Sequence, residues 1–165
     1  MPSPIALFQS LSPTDGASVL GALLVIRLSR RGGIWIYALV GLPGTFAHEL
    51  AHFIVAFVLG ARPSWPSLMP RRTERGWLLG SVAFQAGYLR RLPIAMAPFA
   101  LAPLALWWAV ALLHPATWPL YGVHAWIAGT LLAASLPSKT DFKLAWPALV
   151  VLAAAAAAWG VWMYR

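Results

Sequence analysis

The chain has 165 residues, of which 61% are hydrophobic and 10% are charged, and its formal net charge is +8. Soluble domains have about 25% charged residues, so this low share predicts an integral membrane protein. The chain has no cysteine, which excludes disulfides and thiolate chemistry. Its basic residues lie beside apolar segments, where such residues set topology and bind lipid headgroups. No motif indicates a nucleic-acid partner.

Two apolar segments come first along the chain. Residues 17–28 would make a helix of only about 18 Å, which is short for a complete membrane span. Residues 33–59 form a longer segment that is interrupted at Gly41, Pro43 and Gly44. Pro43 favours a kink or the start of a second helical piece, which we expect to end near Gly60.

Residues 61–91 differ from the rest of the chain because prolines and arginines are frequent there. Prolines precede a charged turn, TERG, which is followed by the strand-like sequence WLLGSVAF at 77–84. This order predicts a β-like hairpin in a membrane-associated loop, and a basic loop without fixed structure is the alternative.

The remaining apolar sequence predicts three helices. Residues 92–138 contain no Asp, Glu, Lys or Arg, and HPATWP at 114–119 divides this run into helices at about 93–113 and 120–136. A last helix follows at about 144–163, with Trp and Tyr at its end as interfacial anchors. We therefore predict an all-α polytopic membrane protein with four or five transmembrane helices, forming one membrane-embedded core over residues 1–165.

The basic residues also predict an orientation. Residues 60–92 carry six Arg and residues 137–143 carry two Lys, and these segments are expected on one side of the membrane. The opposite side is expected to carry Arg27, Arg30, Arg31 and Arg165. Because basic loops remain inside, the first side is predicted to be cytoplasmic and the membrane to be the inner cell membrane.

The sequence HELAH at 48–52 carries the candidate chemistry. His48 and His52 lie one turn apart on a helix, so both imidazoles can reach one Zn²⁺ ion. Glu49 points off that axis and is free to take a proton from a water on the metal, which is the zinc-peptidase arrangement. The alternative is purely structural, with Glu49 paired to a His or an Arg inside the helix bundle.

A catalytic zinc site needs a third protein ligand, and the sequence leaves several candidates open. Asp141 is the favoured one, because it follows a helix stopped by Pro137 on the side expected for the end of the HELAH helix. Its alternative role is to cap the last helix. Three other candidates remain: Glu74, which lies in an Arg-rich turn, His114 and His124. The metzincin pattern is excluded, because Val58 occupies the position of the third histidine in that pattern.

The HELAH helix and the segment SLPSKTD at 135–141 resemble the site-2 protease family of intramembrane zinc metalloproteases (the M50 class). The resemblance covers about residues 33–143. It implies a zinc endopeptidase that cuts membrane-protein or peptide substrates at the cytoplasmic side, with a β-like loop after the motif helix. It implies that His48, His52 and Asp141 are the ligands and that Glu49 is the general base.

Two departures from the family pattern concern the second motif. The chain has no Asn, so Ser135 or Ser138 is the candidate for the polar contact that Asn makes in the family. Phe142 stands where the family has Gly. His124 is a candidate to donate a hydrogen bond to a metal ligand, and a buried, hydrogen-bonded histidine is the alternative. Ser81 and Val82 in the predicted strand are candidate substrate contacts.

A rival interpretation is not enzymatic. A small membrane protein can use such a His pair to bind or transport a divalent metal ion. Transporters have broken helices in paired halves, and the interruption at Gly41–Gly44 is one such break. The sequence leaves the oligomeric state open.

Overall fold

The computed structural model describes residues 11–73, 76–113 and 116–164, and it is mostly helical, at 73%. A two-stranded antiparallel sheet joins β1 (Arg71–Thr73) to β2 (Gly76–Leu78). Two 3₁₀ turns, Arg30–Gly32 and Ala97–Ala100, follow α1 and α4. The described α-helices are α1 (Pro13–Ser29), α2 (Ile34–Val40), α3 (Leu42–Val58), α4 (Tyr88–Met96), α5 (Leu101–Leu112), α6 (Leu120–Ala134) and α7 (Lys139–Met163).

Helix α6 is the centre of the helical assembly, in contact with α1, α3 and α5. Small residues make these contacts close, as they do in membrane helix pairs. A Cβ added at Gly129 would lie 2.8 Å from the Cβ of Ala22 on α1. A Cβ added at Gly44 on α3 would overlap the backbone carbonyl of Thr130. Helix α6 is therefore held on two sides by helices that approach it at glycine.

Two helical stretches are long and apolar enough to cross a membrane, namely Tyr88–Leu112 and Lys139–Met163. The first combines α4, the second 3₁₀ turn and α5. Helices α2 and α3 meet at a bend of 72° and make a third candidate if they are counted as one span. The predicted break near Gly41 is confirmed, because Gly41 separates the two helices.

Several predicted boundaries are displaced. The helix expected from about residue 93 begins at Tyr88 and contains Pro93, since a proline in a membrane helix removes only one backbone bond. The last helix begins at Lys139 rather than near 144, because Ser138 caps it. Helix α1 extends the short segment 17–28 to Pro13–Ser29 through a similar cap at Ser12.

The hairpin predicted in residues 61–91 is present but shorter than expected. Trp77 pairs with Arg72 in the β1–β2 ladder, and beyond it an isolated bridge joins Ser67 to Ser81. The predicted strand at 77–84 is therefore regular only to Leu78. Prolines on the opposite arm, Pro66 and Pro70, have no N–H to donate, which interrupts the ladder.

The structure corrects the predicted sidedness of the basic residues. Helix α1 runs parallel to α6, because Tyr121 donates a hydrogen bond to Asp15 at 2.8 Å near their first turns while Ala22 meets Gly129 further along. Arg30, at the end of α1, consequently lines one cleft with Ser138, just beyond the end of α6. The expectation that residues 27–31 and 137–143 lie on opposite sides was wrong.

Residues 27–31 and 137–143 lie at the same end because the α2–α3 pair is bent. Helix α2 runs away from Gly33 to Val40, whose carbonyl accepts a hydrogen bond from Trp126 in the middle of α6, and α3 then runs back until His48 meets Ala134 at the end of α6. The pair therefore begins and ends at the same end of the molecule. We call this the basic end, defined by residues 27–33, 77–84 and 135–141.

Candidate metal centre

Helix α3 directs two histidine side chains at each other. His48 and His52 lie one turn apart, and their Nε2 atoms are separated by 3.2 Å. The Nδ1 atom of His48 lies 2.8 Å from the carbonyl oxygen of Ala134, and that of His52 lies 2.8 Å from the carbonyl oxygen of Ile94. Carbonyl oxygens only accept hydrogen bonds, so each Nδ1 carries a proton and donates it. In the neutral imidazoles, both Nε2 lone pairs then face the space between the rings.

The local sequence explains why these two carbonyl groups are available. The carbonyl of Ala134 lies in the last turn of α6, where carbonyls lose their intrahelical donors. The N–H of Ser138, four residues later, turns instead to Asp141. Ile94 lies four residues before Pro98, which has no N–H, so its carbonyl accepts only from the Ala97 N–H at the helix end and keeps a lone pair for His52. The two imidazoles are therefore oriented by backbone carbonyls at helix ends that retain a lone pair for them.

Asp141 reaches the same place from the start of α7. Ser138 is the N-cap: its N–H donates to Asp141 Oδ2 at 2.6 Å, and its hydroxyl accepts from the Asp141 N–H at 3.2 Å. This reciprocal capping box fixes the carboxylate. Asp141 Oδ1 lies 3.3 Å from His52 Nε2, and Oδ2 lies 3.5 Å from His48 Nε2. The alternative capping role therefore coexists with the contact to the histidines.

The three side chains form a group that can hold a metal ion. Two imidazole lone pairs and a carboxylate repel one another unless a cation lies between them. A tetrahedral zinc ion with bonds of about 2.0–2.1 Å separates its ligand atoms by about 3.3 Å. The distance of 3.2 Å between the two Nε2 atoms is close to that value. The donor set thus fits zinc and leaves one coordination position for a water or a substrate.

Glu49 lies beside this group without belonging to it. Its side chain is buried, with 7% of the residue exposed. Gly80, from the loop after α3, covers it so closely that an added Cβ would lie 2.6 Å from Glu49 Oε1. Among the described residues, none forms a hydrogen bond or ion pair with this carboxylate. Glu49 is therefore placed to exchange a proton with a molecule in the adjacent cleft.

The cleft has a volume of about 480 Å³ and opens beside the metal group. The stretch from Trp77 to Val82 lines it, as do Ser138 and Thr140. Leu78, Leu79 and Val82 make much of the lining apolar. The structure thus brings Ser81, Val82 and Ser138 into one cleft with Glu49, His48, His52 and Asp141.

Other candidate residues lie elsewhere. The hydroxyl of Ser135 is outside the cleft lining and donates to the carbonyl of Leu132 at 2.8 Å, within its own helix end. The ring of His124 is tilted against Trp108, with ring centroids 5.9 Å apart, and does not reach the metal group. Glu74 and His114 lie outside the described residues.

The cleft also contains residues that the sequence did not indicate. Arg30 and Tyr37 line it from the start of the bent pair, and they line an adjoining groove of about 370 Å³ as well. Gly80 was part of the predicted strand but was not singled out. A local pattern cannot identify these residues, because each reaches Glu49 or the cleft only through tertiary contacts.

Comparison with known proteins does not identify a similar protein. No protein-family model, no curated protein and no solved structure matches this chain. Its function is therefore inferred from the chemistry of the site itself.

Proposed function

We propose that the protein is a zinc-dependent intramembrane endopeptidase of the site-2 protease type, acting on membrane-embedded or membrane-proximal protein substrates. One observation carries this proposal: three metal-binding side chains from α3 and α7 converge beside Glu49 in a cleft. Zinc sites that are purely structural are closed by four protein ligands, whereas this group supplies three. The open position and the neighbouring carboxylate favour hydrolysis.

The residues of the chain have distinct roles in this proposal. His48, His52 and Asp141 hold the zinc ion, which when bound supplies the Lewis acidity that polarises a peptide carbonyl and activates a water molecule. Glu49 accepts a proton from the attacking water as general base. It then donates this proton to the amine that leaves when the C–N bond breaks.

The loop that follows α3 is the proposed substrate support. A transmembrane helix hides its peptide bonds in internal hydrogen bonds, so a substrate must be unwound before it is cut. The stretch from Trp77 to Val82 pairs with the opposite arm at Trp77, Leu78 and Ser81, and it lines the cleft next to Glu49. A substrate in extended form can pair with its backbone by strand addition, with Ser81 and Val82 among the contacts.

The proposed topology has four spans: α1, α4 with α5, α6, and α7. In this arrangement α2 and α3 enter and leave the membrane at the basic end. All Lys and Arg in the described part of the chain lie in residues 27–31, 62–91 and 139–143, which we place at that end. The positive-inside rule then places the basic end and the active site on the cytoplasmic side of the inner membrane.

Metal removal tests the proposal. The protein is reconstituted into liposomes with a model single-span substrate, and cleavage products are identified by mass spectrometry. We expect cleavage to stop after dialysis against a zinc chelator and to return when zinc is added, because the metal supplies the Lewis acid. Cleavage that persists in the metal-free protein would contradict the proposal.

The rival metal-transport function is favoured by the 72° bend between α2 and α3, which resembles the broken helices of transporters. The same liposomes distinguish the two functions. Zinc flux that is unchanged by Glu49→Gln, together with an intact substrate, supports transport. An endopeptidase shows cleavage and no flux.

A further inference from the structure

Arg30 has an unusual place for a residue at the end of a membrane helix. It lies in the 3₁₀ turn after α1 and lines both the cleft and the adjoining groove. Its Nη2 donates a hydrogen bond to the Tyr37 hydroxyl at 2.8 Å, and its guanidinium carbon lies 4.7 Å from the centre of the Tyr37 ring. Arg30 is exposed, and its contacts with Tyr37 orient the guanidinium where it lines the cleft.

None of the described residues around Arg30 neutralises its charge. Within the described ranges, no carboxylate lies within ion-pair distance of its guanidinium. An arginine has five N–H donors, and the Tyr37 hydroxyl accepts from one nitrogen only. The cleft is otherwise apolar apart from the metal group, Glu49 and a few hydroxyl groups. Arg30 is exposed and therefore offers a positive charge with free donors beside a cleft whose lining is largely apolar.

The loop after α3 sets the distance between Glu49 in the cleft and Arg30 in the adjoining groove. Gly80 lies against Glu49, and Trp77, three residues earlier, lines the groove with Arg30. Extended chain rises about 3.3 Å per residue, so these two points are about 10 Å apart. A substrate paired with this stretch has its reacting bond near Glu49 and a residue about three positions away near Arg30.

We propose that Arg30 is a specificity-determining residue that binds an acidic side chain of the substrate about three residues from the cleaved bond. The inference rests on the proposed function and deepens it by naming a substrate class: apolar segments that carry an Asp or Glu at that position. Arginine binds carboxylates in a planar, two-pronged geometry, and Tyr37 holds this guanidinium ready for such a contact. Tyr37 is the positioning residue, since it holds the guanidinium.

A binding measurement tests this without requiring catalysis. The Glu49→Gln protein is placed in nanodiscs of zwitterionic lipid, and its affinity is measured for a fluorescent Ala/Leu-rich peptide with one Asp and for its Asn counterpart. We expect the Asp peptide to bind about threefold to fivefold more tightly, as for an ion pair at an exposed arginine, and Arg30→Gln to remove this preference. Arg31→Gln, an exposed neighbour outside the cleft lining, is the matched control and keeps the preference.

The outcomes separate this inference from the proposed hydrolysis. Equal affinities for the two peptides, no binding of either, or a preference that survives Arg30→Gln would overturn it. Loss of the preference when anionic lipid is included would assign Arg30 to a lipid headgroup and would also overturn it. An Asp preference that depends on Arg30 supports the inference even if the unmutated protein cleaves nothing, a result that would sink only the proposed function.

Discussion

Replacing Glu49 with Gln is expected to lower the rate of substrate cleavage by about 10²–10⁴-fold, the usual contribution of a general base. Gln has nearly the same shape, so it fits beneath Gly80, where the space around this side chain is tight. Its amide cannot accept the proton from the attacking water. Because Glu49 is outside the metal-binding group, bound zinc is expected to stay at the level of the unmutated protein. Cleavage in liposomes and elemental analysis measure both quantities.

Asp15→Asn is the control for this variant. Asp15 is also a buried carboxylate, but it lies near the start of α1, where it accepts a hydrogen bond from Tyr121. It is not among the residues that line the cleft, so its variant is expected to cleave normally. A Glu49→Gln protein that cleaves as fast as this control would exclude Glu49 as the general base.

Replacing Asp141 with Ala is expected to weaken zinc binding by more than about a hundredfold. Loss of an outer partner of a metal ligand already weakens binding by 10–100-fold, and Asp141 is proposed as a ligand itself. Its removal leaves only His48 and His52 in the group. Titration of the metal-free protein with zinc, followed by calorimetry, gives the affinity.

The chain provides a matched control for the capping function of Asp141. Ser12 and Asp15 form a capping box at the start of α1, as Ser138 and Asp141 do at the start of α7. Loss of a capping interaction destabilises a helix by about 1 kcal/mol. Asp15→Ala therefore reproduces the loss of a capping box without touching the histidines. Equal zinc affinities for Asp15→Ala and Asp141→Ala would show that Asp141 is only a cap.

The sequence was informative where function depends on local spacing. A helix places residues i and i+4 on one face whatever surrounds it, so HELAH predicted the facing pair of His48 and His52. Asp141 could be predicted for a related reason, because Pro137 and Ser138 mark a helix start in the sequence. The break at Gly41 and the hairpin after α3 were also predicted from local signals.

Features that depend on tertiary contacts could not be predicted from the sequence. The sidedness of residues 27–31 was wrong because a bent helix pair that returns looks like one long apolar span in the sequence. The sequence therefore indicates Arg30 only as a topology signal, whereas the structure places it at the cleft. Ser135 was considered for a contact at the site, yet a serine near a helix end commonly bonds to its own backbone, as here to Leu132. Gly80 matters only because Glu49 lies beneath it.

The central claim is that His48, His52 and Asp141 together bind one zinc ion. An anomalous-difference map from crystals of the protein grown with zinc tests it most directly, with data on both sides of the zinc absorption edge. We expect a single strong peak within about 2.0–2.2 Å of both Nε2 atoms and one Asp141 oxygen. A zinc peak elsewhere, or no peak between these side chains at full zinc saturation, would contradict the claim.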